Sequence, residues 1–453
     1  MSSAQPSCAE RPQSTGAMST AAMRASVAAL ESPARPPAEP ALTHRDVAQG
    51  RDVARGRART GMFAAVSAVL VLFMTAAGAP SPLYVVYQQA WGFSAMTLTV
   101  VFAVYVAGLM AALLVLGALS DHVGRRPVLA AAIALEATAM VLFLVAGDVW
   151  VLLLARIVQG IATGAAITTL GATLVDMNPP HAPSRAGLVS SVAPVSGLAL
   201  GALGCGALIQ FAPAPMRLVF VLLLAGLVLA AIVVAVMPET SARRPGARAS
   251  LAPRLGVPSR LRRDVYALVP MLVASWALGD LYLSLGPSVA ASVFGLSSHV
   301  IEGLVVTLLC GTGAISAFSF RHWPVGRMLA IAAILLTAGT VLTLGGVEAH
   351  SILLAALGTA LAGVGFGAGL LACFGTLARL AGPGERGELF SVAYVIAYLA
   401  FSVPAVFAGV AAVSTGLRAT TLVYGIGVAA LSLAALAGQR LTQQQRASHP
   451  LGG

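Results

Sequence analysis

Long apolar segments separated by short polar loops recur along the chain after residue 60. Residues 101–116 carry no charged side chain, and residues 128–146 carry only Glu136. An α-helix needs about 20 apolar residues to cross the hydrocarbon core of a membrane. The pattern therefore predicts an all-α membrane protein with twelve transmembrane helices. The twelve segments lie at about residues 62–88, 95–117, 127–147, 149–176, 185–211, 216–237, 265–290, 299–319, 326–346, 350–379, 386–412 and 417–438.

A repeat relates the first six segments to the last six. Identical residues recur about 200 positions apart at Gly92 and Gly295, Gly124 and Gly326, Gly160 and Gly363, Gly164 and Gly367, Arg185 and Arg386, and Arg217 and Arg418. So constant an offset indicates two pseudo-symmetric six-helix halves. The predicted parts are a disordered cytoplasmic N-terminal tail (1–60), an N-terminal half (61–237), a basic cytoplasmic linker (238–264), a C-terminal half (265–438) and a cytoplasmic C-terminal tail (439–453).

The composition also favours a membrane protein over a set of soluble domains. The chain is 58% hydrophobic and only 9% charged, whereas an ordinary soluble protein is about a quarter charged. Its net charge of +11 comes entirely from Arg, because the chain has no Lys. A basic chain raises the question of nucleic-acid binding, but these arginines cluster in the tails, the linker and the segment ends. Positive charge there keeps both termini in the cytoplasm, so we expect no nucleic-acid partner.

The polar loop at residues 117–127 is so short that the second and third segments must form a helical hairpin. The loop contains Gly117, Leu119, Ser120, Asp121, Gly124, Arg125 and Arg126. At these positions it resembles the loop between the second and third helices of the major facilitator superfamily of transporters, roughly Gly-x-Leu-(Ala/Ser)-Asp-Arg-x-Gly-Arg-(Arg/Lys). His122 departs from this form, since the family usually has Arg there.

This resemblance implies a secondary transporter in which two six-helix halves rock about a central substrate site. It implies that the loop belongs to a cytoplasmic gate, with Gly117, Asp121, Gly124, Arg125 and Arg126 as gating residues. Asp121 would contact the other half near the start of the eleventh segment. Many Ala, Gly and Arg residues without Lys are typical of a GC-rich bacterial genome, so we expect a multi-pass protein of a bacterial inner membrane. We expect a monomer in the lipid bilayer.

Four polar side chains inside the segments are candidates for proton coupling or for binding a charged substrate group. Arg156 and Gln159 match the family's Arg-x-x-Gln-Gly signature in the fourth segment, which occurs in many proton-linked members. Arg156 either charges the cavity or ties helices together, because a buried arginine needs a partner or water. Glu136 and Asp280 either exchange a proton or stay protonated as packing residues, since an ionised carboxyl is costly in hydrocarbon.

In the family, the first, fourth, seventh and tenth helices line the cavity. By this resemblance, the cavity-lining candidates are Tyr84, Tyr87, Trp276, Tyr282, Phe366 and Phe374. The set is aromatic, and the whole chain has a single asparagine, Asn178, so a lipophilic substrate fits better than a sugar. The four cysteines are scattered singly and form no metal-binding spacing. No catalytic motif, metal site or cofactor site is found, so an enzyme is not expected.

The function expected from these observations is proton-coupled export of a small lipophilic or amphipathic compound. One alternative is proton-linked uptake of an organic acid or amino-acid-like solute, with Arg156 as an anion clamp. An alternative of another class is a membrane receptor or scaffold that transports nothing.

Overall fold

The computed structural model describes residues 44–178, 185–214, 216–241, 243–252, 256–296, 298–380, 382 and 386–448. Twelve helical stretches are long and apolar enough to cross a membrane, and the described residues contain no β-strand. This confirms the predicted all-α fold with twelve spans. The helices are α1 His44–Gly78 and α2 Pro80–Trp91 (span 1), α3 Ala95–Leu116 (span 2), α4 Ser120–Val123, α5 Arg125–Val145 (span 3), α6 Val149–Asp176 (span 4), α7 Arg185–Phe211 (span 5), α8 Leu218–Val236 (span 6), α9 Arg262–Asp280 and α10 Gly286–Phe294 (span 7), α11 His299–Ser319 (span 8), α12 Val325–Glu348 (span 9), α13 Ile352–Leu380 (span 10), α14 Arg386–Thr415 (span 11) and α15 Leu417–Ser448 (span 12).

The helices extend further at both ends of the chain than the apolar pattern indicates. α1 begins at His44, so residues 44–60 of the expected disordered tail are helical. α15 continues to Ser448, beyond the expected end of the last span. The rest of the two predicted tails, residues 1–43 and 449–453, lies outside the described residues. The contacts below all belong to the compact unit Ala58–Gly453; the other unit, Met1–Arg57, is described only as the start of α1.

The two six-helix halves have matching details, as the repeat predicts. Gly92 ends span 1 with a φ of 66°, and Gly295 ends span 7 with a φ of 67°. This left-handed conformation strongly favours glycine. The backbones of spans 2 and 4 touch at Gly164, and those of spans 8 and 10 touch at Gly367. The two lobes, spans 1–6 and spans 7–12, are therefore copies of one architecture.

Span 7 departs from a regular α-helix at its centre. Residues Leu281–Leu285 form a π-helical turn between α9 and α10. Such turns are rare and frequently lie at functional sites. This turn follows directly after the buried acid Asp280.

The lobes meet toward one end of the bundle. We call the end with residues 117–127 and the linker the hinge end, and the end with Gly92 and Gly295 the loop end. Ser81 in span 1 donates a hydrogen bond to the carbonyl of Leu283 in span 7, at 2.7 Å. Spans 5 and 8 are joined by two hydrogen bonds. At the loop end, Ser298 donates to the side-chain oxygen of Gln210. Further into the bundle, Thr307 donates to the Ala199 carbonyl at 3.0 Å.

Spans 2 and 11 form the third cross-lobe interface. Thr99 packs against Gly409, and the rings of Phe102 and Phe401 are 5.2 Å apart. For the described side chains, the cross-lobe contacts of these three interfaces run from the loop end to about the middle of the bundle. The two lobes are thus closed against each other at the loop end.

Candidate functional site

A buried polar network occupies the interior of the first lobe. Gln159 of span 4 accepts a hydrogen bond from Nη1 of Arg156 at 2.5 Å. Its amide nitrogen donates to the Ala76 carbonyl of span 1 at 3.0 Å and to Oε1 of Glu136 in span 3 at 3.1 Å. The side chains of Arg156, Gln159 and Glu136 are at most 1% exposed. Three of the four candidate coupling residues therefore meet, and Gln159 bridges the cation to the acid.

The arginine of this network is held by aromatic rings. Its guanidinium carbon lies 4.3 Å from the ring centre of Tyr105 and 5.5 Å from that of Tyr84. The negative face of an aromatic ring attracts a cation, and more strongly where water is excluded. Among the described residues, no carboxylate lies within ion-pair distance of Arg156. The rings and the amide thus take the place of a direct ion pair.

Several polar atoms of the network have no hydrogen-bond partner in the structure. They are Nε of Arg156, Oε2 of Glu136 and the hydroxyl of Tyr84. A buried polar atom without a partner costs about 1–3 kcal/mol. Such a concentration of unpaired polar atoms suits a site that binds a proton, water or a polar group.

Asp280 lies in a different place, inside the second lobe. The Tyr424 hydroxyl of span 12 is 2.9 Å from both Oδ2 of Asp280 and the carbonyl oxygen of Ala277. A tyrosine hydroxyl has one hydrogen to donate. If that hydrogen goes to Ala277, then Oδ2 must itself carry a proton and donate it to the tyrosine oxygen. The site can therefore hold either protonation state of Asp280 by rotating one hydroxyl.

The cavity-lining candidates lie in different parts of the structure. Tyr84 lies beside Arg156, but Tyr87 stacks on Trp91 at 4.6 Å within span 1. Tyr282 points into the second lobe, where its hydroxyl is hydrogen-bonded to Thr359 at 2.8 Å and Thr343 at 3.2 Å. The structure therefore does not bring Tyr87 and Tyr282 together with the polar network.

The other three aromatic candidates belong to the second lobe. Trp276 packs edge-on against Tyr398 at 4.8 Å and Phe401 at 5.7 Å, both in span 11. Phe374 lies 5.2 Å from Tyr394, also in span 11. The remaining candidate, Phe366, fills the space beside the glycines at 279 and 313. Spans 7, 10 and 11 thus share an aromatic cluster, of which the span 11 members could not be found by considering spans 1, 4, 7 and 10 alone.

The loop at residues 117–127, which we call the hinge, is held together by ion pairs and hydrogen bonds to backbone groups within the first lobe. Gly124 has a φ of 109° between α4 and α5. Arg125 contacts Asp121 at 2.6 Å and Asp176 at 3.2 Å. Arg126 donates to the Ala235 carbonyl at 2.5 Å. Asp121 is thus paired with Arg125 inside its own lobe. Its expected contact with the start of span 11 stays a prediction, because residues 383–385 lie outside the described residues.

Glu239 completes the hinge and was not found from the sequence. Its carboxylate accepts the backbone N–H groups of Arg125, Arg126, Thr240 and Ser241 at 2.7–3.2 Å. Burial alone would raise the pKa of Glu239, but these four bonds outweigh it and lower the pKa below its ordinary value. The carboxylate therefore caps the start of span 3, where the helix dipole also favours a negative charge.

A third buried acid inside a span was not predicted from the sequence. Glu302 of span 8 is 1% exposed and lies 3.0 Å from Nδ1 of His299. Their spacing of three residues on a predicted helix was a usable signal, because such residues share a face. The described residues include no cluster of three or more metal-ligating side chains.

Two lobes of six spans, closed against each other at the loop end and with buried ionisable side chains inside the spans, define a polytopic membrane transporter. The family model described as Major Facilitator Superfamily matches residues 66–324. The chain belongs to this superfamily. A search of curated proteins finds no match to the chain.

Solved structures share the same fold. A crystal structure of a bacterial homologue of the human lysosomal transporter Spinster, inward-facing and unoccupied, has a TM-score of 0.65 and 14% identity, covering 85% of this chain and 98% of that one. The inward-facing, occupied form of the same homologue has a TM-score of 0.64 and 14% identity, covering 84% of this chain and 97% of that one. The crystal structure of the human organic anion transporter MFSD10 (TETRAN) has a TM-score of 0.62 and 19% identity, covering 83% of this chain and 99% of that one.

Proposed function

We propose that this transporter works by alternating access and exports a small lipophilic or amphipathic compound in exchange for protons. The observation that carries the proposal is the buried network of Glu136, Gln159 and Arg156, in which one carboxylate oxygen has no partner. An arginine side chain does not lose its proton in proteins. Loading a proton on Glu136 therefore changes the net charge of the network from zero to +1.

Asp280 provides a second place for a proton, in the other lobe. An ionised carboxylate is costly in hydrocarbon, and Asp280 is fully buried. Its charge can change when movement of the lobes admits water or substrate. The hydroxyl of Tyr424 adapts to both states, so protonation need not disturb the packing between spans 7 and 12.

The arrangement of the lobes supports alternating access. With both termini in the cytoplasm, the loop end would face outward, so closure of the lobes at the loop end would correspond to an inward-facing state. In this state Asp121 pairs with Arg125 at 2.6 Å. We propose that Asp121 exchanges this partner for the start of span 11 when the hinge end closes.

The aromatic cluster supports a lipophilic substrate. The ring centre of Trp276 in span 7 lies 4.8 Å from that of Tyr398 and 5.7 Å from that of Phe401, both in span 11. The indole nitrogen of Trp276 has no hydrogen-bond partner. Such a surface can bind an apolar ring and still donate one hydrogen bond to the substrate.

The proposal is tested in a bacterial strain that lacks its own efflux systems. Expression of the wild-type chain should raise resistance to several lipophilic toxic compounds. Glu136→Gln and Asp280→Asn should each abolish flux driven by a pH gradient in proteoliposomes. Glu348→Gln is the matched control, because Glu348 is an exposed acid that pairs with Arg418 at 2.7 Å. A normal response to the pH gradient in both buried-acid variants would refute proton coupling through these acids.

The gating role of Asp121 has its own test. Asp121→Asn should insert normally but transport poorly, because the neutral amide weakens every pairing that Asp121 makes. Asp148→Asn is the control, since Asp148 caps span 4 at the loop end by accepting from two backbone N–H groups and asparagine caps equally well. Wild-type flux in Asp121→Asn would remove this residue from the gate.

A second candidate function is proton-linked uptake of an organic acid. The unpaired Nε of Arg156 favours it, because an arginine can grip a carboxylate with two parallel bonds. The human structural relative MFSD10 is described as an organic anion transporter. Proteoliposomes loaded on one side with labelled organic acids separate uptake from export, and a receptor or scaffold would show no flux of any compound.

A further inference from the structure

The structure has a groove on the outside of the first lobe. It has a volume of about 840 Å³ and runs between spans 3 and 6; we call it the span 3–span 6 groove. Both helices line it with alanines, whose small side chains leave the space unfilled. These alanines are Ala130, Ala134 and Ala137 in span 3 and Ala225, Ala231 and Ala235 in span 6.

The polar residues of the groove all lie at its hinge end. Arg126 lies in the first turn of span 3, while Glu239 and Arg243 follow span 6. From Leu224 to Ala235 the groove covers twelve residues of span 6, so the two ends are about 16 Å apart along the helix. This is close to the depth of one leaflet, since the hydrocarbon core is about 30 Å thick. The groove therefore has the length of an acyl chain and a charged mouth at the depth of the lipid headgroups.

The net charge at this mouth is positive, because it has two arginines and one glutamate. The Glu239 carboxylate is already surrounded by four backbone N–H groups. Arg126 uses one N–H group for the Ala235 carbonyl, and a guanidinium has five N–H groups in total. Arg243 is exposed, and among the described residues it has no ion pair. Both guanidiniums can thus donate to a phosphate.

We propose that the span 3–span 6 groove binds one anionic phospholipid from the leaflet at the hinge end. The phosphate lies between Arg126 and Arg243, and an acyl chain lies along the alanines. Because Arg126 also bonds to the last turn of span 6, the bound lipid ties together the two helices that carry the hinge and the linker. This site lies on the lipid-facing side of one lobe and is independent of the transported substrate.

The test measures which lipids stay bound to the purified full-length protein. Native mass spectrometry after stepwise delipidation should show retention of one phosphatidylglycerol and much weaker retention of phosphatidylcholine with the same acyl chains. Arg243→Gln should lower the affinity for phosphatidylglycerol about fivefold, the contribution of one arginine near an anionic surface. Arg248→Gln is the control, because Arg248 is an exposed arginine of the same linker that does not line the groove.

A second pair of variants tests the apolar part of the groove. Ala134→Trp should fill the groove and displace the lipid. Ala131→Trp should not, because Ala131 is also exposed on span 3 but does not line the groove. Inorganic phosphate should fail to displace the lipid if the acyl chain contributes to binding. Equal retention of both lipids, or unchanged retention in both Arg243→Gln and Ala134→Trp, would overturn the proposal.

Discussion

The closure of the loop end depends on contact between helix backbones at a glycine of span 8. A Cβ added to Gly303 would lie 3.0 Å from the carbonyl carbon of Ala202 and 3.1 Å from the Cα of Leu203, and still closer to the Ala202 oxygen. Ordinary contacts of a Cβ atom begin at about 3.4 Å. Gly303→Ala therefore forces spans 5 and 8 apart.

The expected magnitude follows from the kind of atoms that collide. The obstacle is backbone, which cannot rotate away as a flexible side chain can. Overpacking a well-packed site costs about 1–3 kcal/mol. Because spans 5 and 8 belong to different lobes, this cost falls mainly on the state that is closed at the loop end. The equilibrium should move toward the state open at that end by about 5- to 150-fold.

The native thiol of Cys205 reports this change. It is 1% exposed and lies between Ala202 and Gly206, which both touch span 8. In a chain whose other cysteines are replaced by Ala, we expect Gly303→Ala to speed maleimide labelling of Cys205 from the loop end. Gly204→Ala is the control, because a Cβ at Gly204 meets nothing within 4 Å. An unchanged labelling rate in Gly303→Ala, or an equal rise in Gly204→Ala, would refute this reasoning.

Three further predictions concern stability within each lobe. The pKa of Glu239 is lowered from 4.5, so its ionised carboxylate stabilises the folded protein above that pH. This stabilisation is lost as the pH falls through the lower pKa of the folded state, and the unfolding temperature should fall with it. Glu239→Gln should make the unfolding temperature less dependent on pH in this acid range. Gly339→Ala should destabilise the protein by about 1–3 kcal/mol, because its Cβ would meet the backbone of span 10, whereas Gly375→Ala has free space and should be neutral or stabilising in the same thermal assay. Tyr424→Phe should cost about 1–3 kcal/mol and alter the pH dependence of flux, because it removes the hydroxyl beside Asp280; identical pH profiles would argue against a proton there.

The spans could be predicted closely because their signal is local. Span 4 was expected at 149–176 and is observed at Val149–Asp176. Span 7 is longer than expected, Ser259–Phe294 against 265–290, because its first turns carry arginines that a search for apolar residues excludes. The π-helical turn at Leu281–Leu285 has no comparable sequence signal.

The site was only partly predictable. Arg156 and Gln159 are three residues apart on one helix, so their contact follows from helix geometry. Glu136 joins them from another span at 3.1 Å, which depends on how spans 3 and 4 pack. Tyr105 and Tyr424 were missed for the same reason, since nothing near them in the chain distinguishes them from other aromatic residues in spans.

The distribution of close-packed glycines suggests how two stable lobes can move against each other. Within the lobes, Gly160 meets the backbone of span 2, and Gly363 meets that of span 8. Helices in lipid gain their association from such close packing rather than from the hydrophobic effect. Across the lobes, contacts of this kind occur at Gly206 and Gly303 between spans 5 and 8. Each lobe is thus braced internally at repeat-related positions, while the backbone-to-backbone packing that joins the lobes is concentrated where span 5 crosses span 8. A single substitution at that crossing should therefore shift the balance between conformations, whereas the same substitution inside a lobe should lower the stability of the whole lobe.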